Sequence, residues 1–369
     1  MNKSDLLEEL ELCNECKMCF EVCPVYKATH REVFSPASRL STAKKILSGE
    51  AVTAQMIESI YNCCKCQLCE SICPQGISIT SIIHEARVAL AEKGIGPTEK
   101  HNRVIEGIQR LGNSVNGDPS KRLEWLPEEF VQRESETLFF VGCLPSYLVQ
   151  EVARSSYLLL KRLGFNFMIL QDEGCCGVYF YDSGRTDLAR EKFEENAERF
   201  RKLGIKRVVV ACAGCYRCFK RYYPQLLGHV DFETVHIVEL LPSLLKEKEM
   251  QPKRNNLKVI YQDPCRLGRM EGLYQQPREL LELCGVKIRE MPQNKEKALC
   301  CGAGAGIRSV YPHLSLELAS RLLDHVDLEH LVSSCPFCTF NLRYALKKMG
   351  REKTIKIDYI TQIVLDSLY

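Results

Sequence analysis

Residues 13–24 read CNECKMCFEVCP and residues 63–74 read CCKCQLCESICP. Each carries the run Cys-x2-Cys-x2-Cys-x3-Cys-Pro: Cys13, Cys16, Cys19 and Cys23 in the first, Cys63, Cys66, Cys69 and Cys73 in the second. A different unit follows, again twice. It reads Cys143, Cys175-Cys176-Gly177, Cys212-x2-Cys215, and then Cys265, Cys300-Cys301-Gly302, Cys335-x2-Cys338. Of the 21 cysteines only Cys64, Cys218 and Cys284 fall outside these units. Thiolates so numerous and so regularly spaced suit iron and sulfide, and hence electron transfer. A disulfide framework fits poorly. The count is odd, the chain of 369 residues is large, and the acidic start MNKSDLLEELEL has no apolar signal segment. Adjacent cysteines such as Cys175 and Cys176 also cannot bridge each other without strain.

The shorter run is that of bacterial ferredoxins, in which three cysteines wrap one cubane cluster and the fourth reaches the neighbouring one. One [4Fe-4S] cubane is therefore expected on Cys13, Cys16, Cys19 and Cys73, the other on Cys63, Cys66, Cys69 and Cys23. The exchange ties the two halves together and sets the clusters close enough for electron transfer. A zinc ribbon needs only two Cys-x2-Cys pairs; each run here offers four thiols, and Pro24 and Pro74 follow the fourth in both. Apolar residues recur at helical spacing over 39–47, 53–61 and 79–93. The domain is thus predicted to be of the helical ferredoxin type, with His84 a packing residue.

Residues 112–132 (GNSVNGDPSKRLEWLPEEFVQ) are polar and rich in turn formers, which marks a linker. The lone Trp125 within it is expected to pack onto a neighbouring domain. Composition is ordinary for a globular chain, 45% hydrophobic and 26% charged. A net charge of +3 supplies no global field for nucleic acid. No apolar run approaches the ~20 residues that span a bilayer. A cytoplasmic location is expected, at the membrane only through a partner subunit.

The last two thirds are an internal repeat. Each unit opens with an apolar strand ending at its first cysteine, 138–142 or 257–262. A helix (155–163 or 277–284) and a strand (166–170 or 286–291) follow. Cys-Cys-Gly comes next, then a helix, and a strand (207–211 or 331–334) that runs into Cys-x2-Cys. A short strand and helix close each unit, over 235–245 or 355–368. Strand and helix alternate, so each unit reads as an α/β sheet with helices on its faces. Ligands of such sheets gather at the carboxyl ends of the strands, and the five cysteines of each unit sit there.

Five cysteines with an adjacent pair exceed what a cubane or a zinc ion needs. The spacings Cys-x31-Cys-Cys-x35-Cys-x2-Cys and Cys-x34-Cys-Cys-x33-Cys-x2-Cys, with DPCRLGRMEGLYQQPRE (263–279) and LCCGAGAG (299–306), resemble the cysteine-rich CCG domains of the heterodisulfide reductase D-subunit family. The resemblance covers nearly the whole chain. It implies an α+β multidomain protein: a helical ferredoxin-type domain at 1–132, then two duplicated α/β CCG domains at 133–252 and 253–369 related by a pseudo-twofold axis. It further implies a noncubane [4Fe-4S] cluster in each unit, on Cys143, Cys175, Cys176, Cys212 and Cys215, and on Cys265, Cys300, Cys301, Cys335 and Cys338. With the cubanes this makes four clusters, and no flavin or nicotinamide motif is present. Arg266 stands where many members carry His.

The activity implied is reductive cleavage of a small-molecule disulfide held between the units, coenzyme M–coenzyme B heterodisulfide or similar. Electrons would come from a membrane cytochrome b-type subunit or another donor in a hetero-oligomer. That disulfide is anionic, and Arg266 and Arg269 beside Cys265 are its expected receptors. The glycines at 302–306 are expected to allow close backbone approach to the cluster, with a backbone anion nest as the alternative. His236 and Asp358, taken as equivalent positions at the two sheet ends, are weak proton-relay candidates. Cys218 is a possible sixth thiol at the first noncubane site, and Cys284 a buried apolar filler. The alternative is an iron-sulfur relay subunit of a flavin-dependent glycolate, lactate or glycerol-3-phosphate dehydrogenase. A paralogue acting on another disulfide or persulfide is a third reading.

Overall fold

The computed structural model describes residues 3–249 and 257–368. The domain boundary expected at 252/253 falls outside the described residues.

The first third is helical, with helices Lys3–Glu11, Pro24–Thr29, Pro36–Leu47, Ala54–Tyr61, Ile79–Glu92 and Glu99–Leu111. Local chemistry sets their starts. Pro24 and Pro36 occupy first-turn positions, where a missing N–H costs nothing. Ser35 and Thr53 cap the next helices, accepting from the backbone N–H of Ser38 and Met56 at 3.2 Å. Between helices, the two cysteine loops share one unusual backbone. Glu15 and Lys17 in the first loop, and Lys65 and Gln67 at the matching places in the second, all have positive φ, between 50° and 62°. Such left-handed residues are costly outside glycine. Alternating with ordinary ones, they turn successive N–H groups inward, as in nests that hold anions and iron-sulfur clusters.

Each later unit is built on a parallel sheet. In the first, β1 (Thr137–Phe140), β2 (Arg207–Val210) and β3 (Glu233–His236) lie in that order. The second holds β4 (Lys258–Gln262), β5 (Lys287–Glu290), β6 (His330–Ser333) and β7 (Lys356–Tyr359), in the order β5-β4-β6-β7. The strand expected at 166–170 is reduced to a single bridge between Leu138 and Met168. The reason lies in β1's end. The N–H groups of Val141 and Gly142, next in line to continue a ladder, are taken at 2.8 Å by the carboxylate of Glu173. The 112–132 segment packs onto this unit. Trp125 is fully buried, edge-on to Tyr157 at 5.7 Å, and its carbonyl accepts from Arg154.

The two units interlock reciprocally. Helix Gln150–Arg162 of the first packs on Ile360–Ser367 of the second, and Ile237–Glu247 of the first on Gln275–Leu283 of the second. These are the same two helix positions exchanged, which is the signature of a twofold relation. Ser155 and Ser156 meet Thr361 at 2.6 and 3.2 Å across this seam.

One buried arginine joins all three parts. Arg87, on helix Ile79–Glu92, donates to the carbonyls of Ile60, Tyr61 and Cys63, to that of Asp182 in the first unit, and to that of Ala305 in the second. The planar fork of guanidinium can serve these directions at once; an ammonium cannot. In Arg87→Lys, orphaned carbonyls and a badly solvated charge should lower unfolding stability by about 3 kcal/mol. Denaturant unfolding tests this, and an unchanged midpoint would contradict it.

Candidate functional site

The cysteine loops place their thiols in groups. Cys19 interacts with Cys13, Cys16 and Cys23, and Cys73 packs with Cys13 and Cys19 against one apolar cluster. Cys16 is exposed, whereas Cys23, Cys63, Cys66 and Cys69 are buried together. Cys23 thus lies with the second set while also interacting with Cys19 of the first. Arg39, fully buried, leans on this second group: its Nη1 lies 3.7 Å from Cys23 Sγ, with other donors on Ser59 O and Asn62 Oδ1. Lys65 N donates to Cys63 Sγ at 3.3 Å.

In the later units the thiols form strings. Cys143 contacts Cys175, Cys175 contacts Cys176, Cys176 contacts Cys215, and Cys215 contacts Cys212. In the second unit Cys265 contacts Cys300, followed by Cys301, Cys338 and Cys335. Gly177 N and Gly302 N each donate at 3.4 Å to the first sulfur of the adjacent pair, Cys175 and Cys300. Among the described residues no three His, Cys, Asp or Glu side chains close about one point as a single metal ion requires. All 21 cysteines are free thiols. Buried thiol sets, inward N–H groups and the nearby Arg39 cation form a donor environment that fits polynuclear, negatively charged iron-sulfur clusters.

The strings join end to end, a feature the spacing did not reveal. Cys300 contacts Cys66 and Cys64 of the ferredoxin-type segment. Cys335 contacts Cys212, its counterpart in the other unit. A contact between equivalent residues lies on the pseudo-twofold axis. The row therefore runs from the second cysteine loop, through the second unit, to the first. Cys64 gains a place in it. Cys218 is fully buried beside Cys176 and donates to the Cys176 carbonyl at 3.3 Å, from the start of a π-helical turn over Cys218–Tyr222. Cys284 is buried next to Ser367, away from the row.

A cleft of about 440 Å³ opens between the units. All five second-unit cysteines line it; the first unit contributes neighbours of its cysteines, namely Leu144, Val178, Ala213 and Gly214. A larger hollow of about 670 Å³, between helices Pro24–Thr29 and Pro312–Leu323, touches the thiol row only at Cys300. The cleft is the candidate site because it gathers the repeated cysteines, of which the hollow touches one. The room that the glycine run leaves is taken by other protein groups, on helix Pro312–Leu323 and at His101, where the sequence pointed to close approach to a cluster. At Gly302, φ +78°, a Cβ would lie 2.9 Å from Ser315 O; at Gly306, φ +87°, 3.0 Å from His101 Nε2.

Several expected roles change. Arg266 lines the cleft, but its guanidinium is paired with the buried carboxylate of Asp182, which also binds Lys65 Nζ at 3.2 Å. Arg269 donates to the carbonyls of Cys66, Glu296 and Ala298, and so clamps the ferredoxin-type segment to the second unit. His236 and Asp358 are not equivalent. The registers set His236 beside Val210 and Tyr359 beside Ser333, each two residues before the first cysteine of Cys-x2-Cys. Both His236 and Tyr359 head a helix, and both lie near Cys335. Asp358 points to the other face of β7, with Lys356 Nζ at 3.0 Å. His236 accepts from Val238 N through Nδ1, which leaves its proton on Nε2; burial lowers its pKa to about 3, so it stays neutral. His84 stacks on Tyr181 at 4.1 Å, a packing arrangement.

The Lys65–Asp182–Arg266 triad joins the three parts a second time. Burial alone would raise the Asp182 carboxyl, but Arg266 and Lys65 outweigh it and hold it well below the usual range. A depressed native pKa gives stability that is complete above the unfolded value of about 4 and fades as pH falls below it. Asp182→Asn strands two buried cations, at a cost of about 3–5 kcal/mol. Denaturant unfolding should show that deficit constant from neutral pH to about pH 4 and narrower below. A deficit absent at neutral pH would contradict the triad's role.

Comparison with known proteins agrees with this architecture. The 4Fe-4S dicluster domain family matches residues 9–77, and the cysteine-rich CCG domain family matches 137–220 and 259–343. The D subunit of dihydromethanophenazine:CoB–CoM heterodisulfide reductase from Methanosarcina mazei is 32% identical over 387 aligned positions, covering 98% of this chain and 93% of that one. The B subunit of fumarate reductase (CoM/CoB) from Methanothermobacter marburgensis is 26% identical, across 93% of this chain and 69% of its own length. A hypothetical protein from Helicobacter pylori, known as a crystal structure, shares the fold with a TM-score of 0.64 at 14% identity, covering all of this chain and 73% of its own. With its ferredoxin-type segment and paired cysteine-rich units, the chain belongs to the heterodisulfide reductase D-subunit family of iron-sulfur oxidoreductases.

Proposed function

We propose that this chain reductively cleaves a small-molecule disulfide, the coenzyme M–coenzyme B heterodisulfide or a close analogue, in the cleft between its two CCG units. The observation that carries the reading is the thiol row that runs from the second cysteine loop into both units and lines the cleft with its second-unit members. Residues 1–132, 133–252 and 253–369 act as three domains. Cys13, Cys16, Cys19 and Cys73 hold one cubane, and Cys63, Cys66, Cys69 and Cys23 the other. Cys143, Cys175, Cys176, Cys212 and Cys215 hold one noncubane cluster; Cys265, Cys300, Cys301, Cys335 and Cys338 hold the second. When bound, the clusters supply single electrons and, in the two units, iron that a sulfur atom can approach.

The chain's own residues do the rest. Cys66 and Cys64, against Cys300, set the ferredoxin-type segment nearest the second unit, so electrons reach that unit before the first. Apolar walls from Leu144, Val178 and Phe337 keep water from the sulfurs. His236 and Tyr359 sit at the junction of the units near Cys335, where the Tyr359 hydroxyl donates to the Ala211 carbonyl at 2.6 Å. Cleavage consumes two electrons and two protons, breaks one S–S bond and releases two thiols. Electrons arrive from a membrane partner of the cytochrome b type, within a hetero-oligomer. The partly exposed first cysteine loop is the side open to that partner. The name of the M. mazei relative supports this disulfide class.

Anaerobically prepared protein should contain about sixteen irons per chain, four for each of four clusters. Electron paramagnetic resonance should show a new signal only after the coenzyme M–coenzyme B disulfide is added. About eight irons and no response to the disulfide would identify a relay subunit for a flavin-dependent dehydrogenase instead.

A further inference from the structure

Arg308 lies just past the glycine run, at the second residue of helix Ile307–Val310, and lines the same cleft. Its guanidinium carbon sits 4.1 Å from the centroid of the Tyr344 ring and 5.7 Å from that of Phe340. These rings hold a cation without neutralising it. Its Nε is buried and has no hydrogen-bond partner. Among the described residues no carboxylate pairs with it, whereas Arg266, the other cleft arginine, is matched to Asp182. A buried donor left unsatisfied is costly and is a common mark of a missing acceptor.

The rest of the cleft says what kind of molecule brings that acceptor. Leu144, Leu148, Val104 and Val115 give apolar lining, and the thiols form another wall beside the glycine run and the Asp182–Arg266 pair. Thiolates that ligate iron carry negative charge, so an anionic group is repelled from that wall and needs a cation elsewhere in the cleft. We propose that Arg308 is the residue that reads the substrate's anionic end, binding a carboxylate, sulfonate or phosphate through its paired N–H groups. The disulfide is thereby oriented with its apolar arm along the leucines and its S–S bond toward Cys301 and Cys335. Arg266 and Arg269, already held by protein groups, shape the wall instead. This assignment rests on the disulfide reading of the cleft.

Two disulfides of similar size separate the charge from the shape: dithiodipropionate, which is anionic, and hydroxyethyl disulfide, which is neutral. Their binding to the intact, cluster-loaded protein is measured by anoxic calorimetry, and their reduction is followed in parallel. The wild type should bind the anionic disulfide more tightly. Arg308→Gln should weaken that binding about tenfold to a hundredfold, the range of a charge-assisted hydrogen bond, and leave the neutral disulfide unchanged. Arg308→Lys should recover part of the loss. Where turnover is seen, KM for the anionic disulfide rises and kcat holds. Equal weakening toward both disulfides, or no wild-type preference for the anionic one, would overturn the assignment. Charge-selective binding without turnover of either would leave Arg308 as an anion receptor and remove the disulfide-cleaving function instead.

Discussion

The guanidinium of Arg87 bonds to carbonyls from the ferredoxin-type segment, the first CCG unit and the second. Two of its acceptors flank the chemistry: Cys63 belongs to a cysteine loop, and Ala305 to the glycine run behind Cys301. A few residues away, Asp182 draws Lys65 and Arg266 together from the same three parts. Electron transfer falls off steeply with distance, so a wire assembled from separate domains works only if the domains cannot drift. The buried Arg87 fork and the Asp182 triad supply that rigidity beside the contact between Cys66 and Cys300. An apolar cluster of Val25, Phe34, Leu68, Ile307 and Leu318 surrounds the joint and excludes water from it.

Duplication gave two units with one scaffold and a few local differences. The second keeps four strands; the first has three, because Glu173 takes the N–H groups that would extend β1. The first has a π-helical turn after its Cys-x2-Cys, where the second has a continuous helix, Pro336–Lys348. His236 in one unit is answered by Tyr359 in the other. The second unit shows its thiols to the cleft and the first shows the residues beside them. One unit thus brings its thiols both to the second cysteine loop and to the open cleft.

Much of this was legible in the sequence because cluster ligation is local. Three cysteines within seven residues wrap one object wherever the chain places them, so the loops at Cys13 and Cys63 are readable without a structure. The expectation that Cys23 crosses to the second cluster rests on the same motif. Strand positions were readable from apolar runs that end at cysteines, although 166–170 failed, since nothing in that segment shows that Glu173 just beyond it will take the N–H groups at the end of β1. Contacts between units left no sequence signal. Arg87 looks like any helical arginine, and Asp182 like a turn residue. Register, which separates Tyr359 from Asp358 by one residue and hence by one face of the sheet, is a property of pairing and not of composition. Arg308 was hidden for a similar reason, because only the folded cleft shows which arginine lacks a partner.

Diffraction at the iron absorption edge, from crystals of anaerobically prepared protein, tests the thiol row most directly. Four separate iron-rich peaks are predicted in one file: at Cys13, Cys16 and Cys19, at Cys63, Cys66 and Cys69, at Cys265, Cys300 and Cys301, and at Cys143, Cys175 and Cys176. The last two should confront each other across the Cys212–Cys335 contact. Zinc at either of those two positions, or a first unit without iron, would contradict it.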